Sequence, residues 1–230
     1  MKWRSLEEST PASDTRSLSE VFAERKKLIA QYVPPEIQAV HARAIAELQA
    51  QRVVERILSV GAKASSFQLL DHNGQPVSSV ELLREHRLVM CFIRGRWCPF
   101  CVGQLEAMNS ILPEFERVGA SLVAISPQTL QQSFFMHDQH KLRFTLLSDP
   151  GNQLARQFGL VYRVPDAQRA VYRRAFINLP VVNGDESWEL PIPATYIIDR
   201  DSAVRYASAD PDYTARPEPA DILQVLRGGR

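Results

Sequence analysis

Apolar positions near the start of the chain recur three and four residues apart. Between Ser17 and Tyr32 they are Leu18, Val21, Phe22, Leu28 and Ile29, a spacing that predicts an amphipathic helix. Pro34-Pro35 stops it, and Pro35 suits the first turn of the next helix. Glu36 to Leu58 then carries a broad apolar stripe from Ile37 to Leu58, which needs a partner surface. The following domain and a second copy of the chain, as a homodimer, are the two candidates; intrachain packing is the simpler. Residues 1–60 thus read as a helical extension and residues 61–230 as one domain.

After Gly61 the rhythm changes to strands alternating with helices. Phe67 to Leu70 reads as a strand, Asp71 to Gly74 as a turn, and Ser79 to Glu85 as a short helix. Arg87 to Ile93 and Ala120 to Ile125 are apolar runs of the kind buried on both faces of a sheet. Pro99 to Val118 reads as a helix kinked at Pro113 and ended by Gly119. Helix over Thr129 to Lys141, strand over Phe144 to Leu147 and helix over Asn152 to Phe158 continue the alternation. Two antiparallel strands, Thr195 to Asp199 and Val204 to Ala207, precede a closing helix from Glu218 to Arg227. Leu160 to Leu190, with its prolines, tyrosines and arginines, fits poorly and reads as an insertion that covers the site. The pattern predicts an α/β fold with a central mixed, mostly parallel sheet flanked by helices.

Composition adds exclusions. The chain has 230 residues, 45% apolar and 23% charged, which is ordinary for a globular protein. Lys plus Arg is 27 against 26 for Asp plus Glu, so its charge gives no reason to expect nucleic acid or an anionic membrane as partner. The polar start, MKWRSLEESTPASD, lacks the apolar core of a secretory signal, and three cysteines do not make a disulfide scaffold. The expected compartment is the reducing cytoplasm.

The chemistry concentrates in Arg94-Gly95-Arg96-Trp97-Cys98-Pro99-Phe100-Cys101, after a buried strand and opening a helix. A thiol at a helix N-terminus faces unpaired N–H groups and the positive end of the helix dipole, both of which favour the thiolate. Pro99 suits the first helical position, and Arg94 and Arg96 add positive charge. Such surroundings depress a cysteine pKa to somewhere in the range of about 3.5 to 7.5. Cys98 is therefore the candidate attacking thiolate, and Cys101, one turn further in, the candidate resolving thiol. Half a zinc site is the rival reading, with His137 and His140 spaced HxxH, but there is no second CxxC. Cys91, in the buried strand, is expected to be a packed apolar residue.

Several motifs in order resemble the peroxiredoxin-like branch of the AhpC/TSA superfamily, within the thioredoxin fold. They are Trp97-Cys98-Pro99-Phe100-Cys101, Val123 to Gln128 (VAISPQ), Leu147 to Pro150 (LSDP), Pro193 to Asp199 (PATYIID) and Asp212 to Pro219 (DYTARPEP). The resemblance runs from about Gly61 onward and implies thiol-dependent reduction of hydrogen peroxide or alkyl hydroperoxides. It implies no metal and no organic cofactor, with a thioredoxin-like thiol as reductant. Cys98 matches the peroxidatic position, and Pro193 the cis-proline that faces the cysteines in thioredoxin folds. The Ile192–Pro193 bond is accordingly expected to be cis and beside Cys98. Two departures stand out: the family's PxxxTxxC has Cys91 and Gly95 at its Pro and Thr positions, and Pro193 occupies the place of a usual Arg. A thioredoxin-like thiol–disulfide oxidoreductase, or a redox or zinc-stabilised interaction module, is the alternative function.

Overall fold

The computed structural model describes residues 16–228. The polar start of the chain, expected to lack a secretory signal, lies outside the described residues. Helix α1, Leu18–Tyr32, opens at Ser17 with a reciprocal capping box to Glu20. Helix α2 spans Pro35–Ala50 with Pro35 in its first turn, shorter than its stripe suggested. Arg52 turns left-handed and starts a short 3-10 turn, Val53–Arg56. The cause is tertiary: this segment docks on the later chain, where the Leu58 N–H donates to the Phe158 carbonyl at 3.0 Å.

The domain proper begins with strands β1, Gln68–Asp71, and β2, Pro76–Ser78, joined by the expected turn, with Gly74 at φ +80. Next come α3, Ser79–Glu85, β3, Arg87–Phe92, and α4, Pro99–Ser110. Near Pro113 the helix breaks and restarts as α5, Leu112–Arg117, ending before Gly119 at φ +69. Strand β4, Ala120–Ser126, α6, Leu130–Gln139, β5, Thr145–Ser148, and α7, Gln153–Gln157, follow. The inserted segment contains β6, Val161–Arg163, α8, Asp166–Arg174, α9, Leu179–Asn183, and β7, Glu189–Pro191. Strands β8, Ala194–Ile198, and β9, Val204–Ala209, and helix α10, Pro219–Gly228, complete the chain.

Seven strands form one mixed sheet in the order β2-β1-β5-β4-β3-β8-β9. The parallel share is smaller than the alternation suggested. Only β3–β4 and β4–β5 are parallel, whereas β1, β2, β8 and β9 join by antiparallel pairing. Helical crossovers connect only the three central strands; the outer ones arrive by hairpins or by the insertion, which imposes the opposite direction.

Strand β3 alternates its side chains between two cores. Val89, Cys91 and Ile93 face a cluster containing Cys98, Cys101, Leu105 and Phe115, while Leu88, Met90 and Phe92 face Phe158 and Tyr196. The N-terminal helices pack on this same chain. Phe22 meets Phe100 edge to face at 5.0 Å, and the Leu18 and Ser19 N–H groups donate to the Glu218 carboxylate at 2.9 and 2.7 Å. The insertion has a small core of its own, Val164, Tyr172, Leu179, Trp188 and Leu190, against which Trp97 packs.

Candidate active site

The site forms where β3 hands over to α4. Gly95 takes φ +136, a conformation that only glycine adopts at low cost, and a Cβ there would lie 2.8 Å from Trp97 Nε1. In this backbone a β-branched residue, such as the threonine expected from the resemblance, would collide with the Trp97 side chain. Cys98 is the N-cap residue of α4, and Pro99 occupies its first turn. One turn on, Cys101 donates its N–H to the Cys98 carbonyl at 3.0 Å. The Arg94 N–H reaches back to Cys101 Sγ at 3.5 Å, which ties the end of the strand to the first turn of the helix.

All three cysteines are free and buried, with Cys98 1% exposed. Their ionisation differs sharply. Burial opposes the Cys98 thiolate, but a hydrogen bond from the Cys101 thiol and then the charges of Arg94 and Arg216 outweigh it, lowering its pKa to about 5. Burial and the neighbouring Cys98 push the Cys101 pKa up instead. Cys91 is pushed up to about 12 by burial, and its sulfur lies 3.9 Å from Thr195 Oγ1.

Arg94 is the unusual member. Its side chain is among the largest fully buried ones, and Nη1 lies 4.0 Å from Cys98 Sγ. Nη2 donates to the Tyr172 hydroxyl. The guanidinium carbon sits 4.1 Å from the Tyr213 ring centroid and 4.7 Å from that of Trp97, a cation held between aromatic faces. The groups that favour its charge are Tyr172, Tyr162, Cys98 and Tyr213. Burial raises the tyrosine pKa values, so the anion among them at neutral pH is the Cys98 thiolate.

The other residues singled out in the sequence divide. Trp97 and Pro99 border Cys98. Arg96 is exposed, and its Nε donates to Gln132 Oε1 at the surface. The Ile192–Pro193 bond is trans, against the expectation of a cis bond. The chain stays extended there, from Pro191 opposite Val161 to Ala194 opposite Phe92, with the Ile192 N–H donating to the Leu160 carbonyl at 2.7 Å. A trans peptide carries that straight course; a cis one would turn it. Pro193 lies beyond the paired end of β3, where the Arg94-to-Cys98 segment also leaves the sheet. The HxxH histidines are engaged elsewhere: His140 bonds Glu106 at 2.9 Å, and His137 stacks on His72 at 3.6 Å.

Sequence reasoning did not single out Arg216, Gln104, Thr195, Tyr172 or His41. Arg216 Nη2 lies 3.7 Å from Cys101 Sγ, and its Nε donates to Gln104 Oε1 at 2.9 Å. Gln104 in turn donates to Thr195 Oγ1 at 3.0 Å, continuing a polar chain behind the Cys101 thiol. Arg216 stands in the DYTARPEP motif, and Tyr172 in the insertion expected to cover the site, so each had a signal but no assigned role. His41 on α2 bonds Gln168 on α8 at 3.0 Å, and its ring lies 5.9 Å from that of Tyr172.

Comparison with known proteins agrees with this geometry. The AhpC/TSA family profile matches residues 60–207. The chain is 27% identical over 155 residues to a chloroplastic peroxiredoxin Q of Oryza sativa subsp. japonica, covering 67% of this chain and 61% of that one. With the chloroplastic peroxiredoxin Q of Arabidopsis thaliana it shares 28% over 145 residues, 63% of this chain and 56% of the other. The chain thus spans only about three fifths of the length of these curated relatives. Among solved structures, peroxidoxin BcpB from Mycobacterium tuberculosis superposes with a TM-score of 0.60 at 24% identity, covering 75% of this chain and 99% of that one. Peroxiredoxin Q of Xanthomonas campestris gives 0.55 at 18% identity, covering 70% and 89%. The fold is the thioredoxin-like fold of these peroxiredoxins.

Proposed function

Because the chain belongs to the AhpC/TSA family, we propose that it is a thiol-dependent peroxidase that reduces hydrogen peroxide or alkyl hydroperoxides. The observation that carries the reading is a buried Cys98 thiolate with Arg94 at 4.0 Å. The Cys98 sulfur attacks one peroxide oxygen; an S–O bond forms, the O–O bond breaks, and water or an alcohol leaves after taking up a proton. Arg94, whose Nη1 lies 4.0 Å from the sulfur, supplies the N–H groups that hold the peroxide and stabilise the departing oxygen. Cys101 then attacks the Cys98 sulfenic acid. An S–S bond forms, water is released, and a thioredoxin-like dithiol returns both cysteines to thiols while becoming oxidised itself.

The alternative, a thioredoxin-like disulfide reductase, loses one of its supports with the trans bond at Pro193. Chemistry that needs both thiols reduced between turnovers favours the cytoplasm as compartment, which fractionation would test. Among the described residues no helix is long and apolar enough to cross a membrane. The test of function is peroxide decay with a thioredoxin system: wild type should consume peroxide and Cys98→Ser should not. Equal rates in the two proteins would refute the reading.

A further inference from the structure

The Cys98 sulfur is reached through a very small opening. Cys98 and Arg94 are each 1% exposed and Cys101 is fully buried. Three stretches far apart in the chain close over them: Trp97 beside the thiol, Tyr172 from the insertion, and Tyr213 from the segment before α10. The Trp97 and Tyr172 rings lie 5.1 Å apart, and Tyr213 stands over the guanidinium from another side.

The cover is fixed in place. Gln168, one turn before Tyr172 on α8, is buried and bonds His41 of α2. Arg169 Nε donates to the Val164 carbonyl at 2.7 Å, and Arg173 lies over the Trp188 ring at 4.8 Å. Tyr172 itself is bonded to Arg94. An oxygen held beside both Arg94 Nη1 and the Cys98 sulfur, which are 4.0 Å apart, is ringed by Trp97, Tyr172 and Tyr213, and these rings bound the space left for a substituent on the second oxygen.

We infer that the site selects by size, accepting hydrogen peroxide and turning away hydroperoxides with a bulky tertiary or aromatic substituent, and that Tyr172 and Tyr213 set the limit. The inference rests on the peroxidase reading and narrows its substrate class. Removing either ring opens the space beside Arg94, and because losing Tyr172 also frees the Arg94 Nη2 that it accepts from, the size effect is read as the ratio between the two peroxides within each variant.

The test follows Cys98 oxidation by the fluorescence of the adjacent Trp97 in stopped flow, with hydrogen peroxide and with cumene hydroperoxide. Each rate is divided by that of the same peroxide with a small-molecule thiolate. The wild type should favour hydrogen peroxide about tenfold or more, and Tyr213→Ala and Tyr172→Ala should shrink that preference. Equal normalised rates in the wild type would overturn the inference while leaving the peroxidase reading intact, and this comparison needs no variant to fold. No oxidation by either peroxide would overturn both. Alkylation gives a second measure of the opening. Iodoacetamide should outpace N-phenylmaleimide at Cys98 once each is scaled to its rate on the urea-unfolded chain; a scaled ratio near one would overturn the size limit whatever the peroxides do.

Discussion

Replacing Arg94 by Met removes the positive charge beside Cys98 and keeps most of the side-chain volume among Trp97, Tyr172 and Tyr213. Arg94 Nη1 is 4.0 Å from the sulfur, and the guanidinium charge is spread over atoms somewhat further away. At that range, with the effective dielectric that fits buried sites, the attraction is about 3–4 kcal/mol, or two to three pH units. The Cys101 hydrogen bond ranks ahead of Arg94 in favouring the thiolate, and Arg216 behind it; both remain in the variant. Starting from about 5, the ionisation midpoint of Cys98 should therefore rise to about 7–8. At pH 7 the thiolate fraction falls from about 99% to between about 10 and 50%. The assay is the rate of Cys98 alkylation by iodoacetamide from pH 4 to 10, read by peptide mass mapping, with circular dichroism to check folding. A folded Arg94→Met protein whose midpoint stays at about 5 would refute the assignment and leave Cys101, Arg216 and the helix terminus as the cause. Peroxide reduction at saturating pH separates the second role: if Arg94 also holds the peroxide, the rate stays low even where the variant thiol is fully ionised.

Mild oxidation should join Cys98 to Cys101 and leave Cys91, with its pKa at about 12 and no exposure, unmodified; non-reducing mass mapping that finds Cys91 in the main disulfide would contradict this. His41, lowered to about 4 by burial and then by Arg94, stays neutral in the fold but takes up a proton below about 6.5 when the chain unfolds. Stability should therefore fall as pH drops from about 6.5 to about 4, by up to about 3 kcal/mol, and urea midpoints of His41→Gln, which carries no titrating ring, should show a smaller acid loss than wild type. Restoring the family's residue with Gly95→Thr should lower the melting temperature and slow Cys98 oxidation, because the left-handed backbone and the contact with Trp97 leave no room for a β-branched side chain.

Periodicity located most elements of the domain because their burial is one-sided and local. The α3 helix and strands β3 and β4 fall almost where apolar runs and turn residues place them. The failures came from contacts that a local pattern does not encode. The stripe past Ala50 reads as helix, yet Arg52 breaks it so that Arg56 to Leu58 can lie against Gly159, where a Cβ would come within 2.2 Å of the Arg56 carbonyl oxygen. Strand β2 is three residues with a proline at its start and shows no alternation to detect. The antiparallel β8–β9 pair and the turn between β1 and β2 were legible, but not that β1 joins β5 and β8 joins β3 in antiparallel sense, because helix–strand alternation reports connectivity and not which edge a returning strand takes.

At the site, the CxxC spacing and the flanking charge were legible because they are contiguous, but their consequences depend on groups that arrive from elsewhere. Cys98 stands at the helix N-cap and Cys101 one turn inside, and the nearest arginine differs between them. Arg94 approaches Cys98, and Arg216 approaches Cys101 while its Nε is spent on Gln104. Arg94 is fully buried and its other close partners are neutral rings and a hydroxyl, so its charge is balanced only when Cys98 is ionised. Arg216 is only half-buried, and its pull on Cys101 is outweighed by burial and the neighbouring Cys98. Once Cys98 carries the charge, its proximity makes a second thiolate at Cys101 costly, which keeps that thiol protonated as a hydrogen-bond donor to the first. The difference between the two sulfurs thus draws on the Cys101 hydrogen bond first and then on two arginines more than 100 residues apart in sequence, one supplied by the motif and the other by the chain that folds back over it.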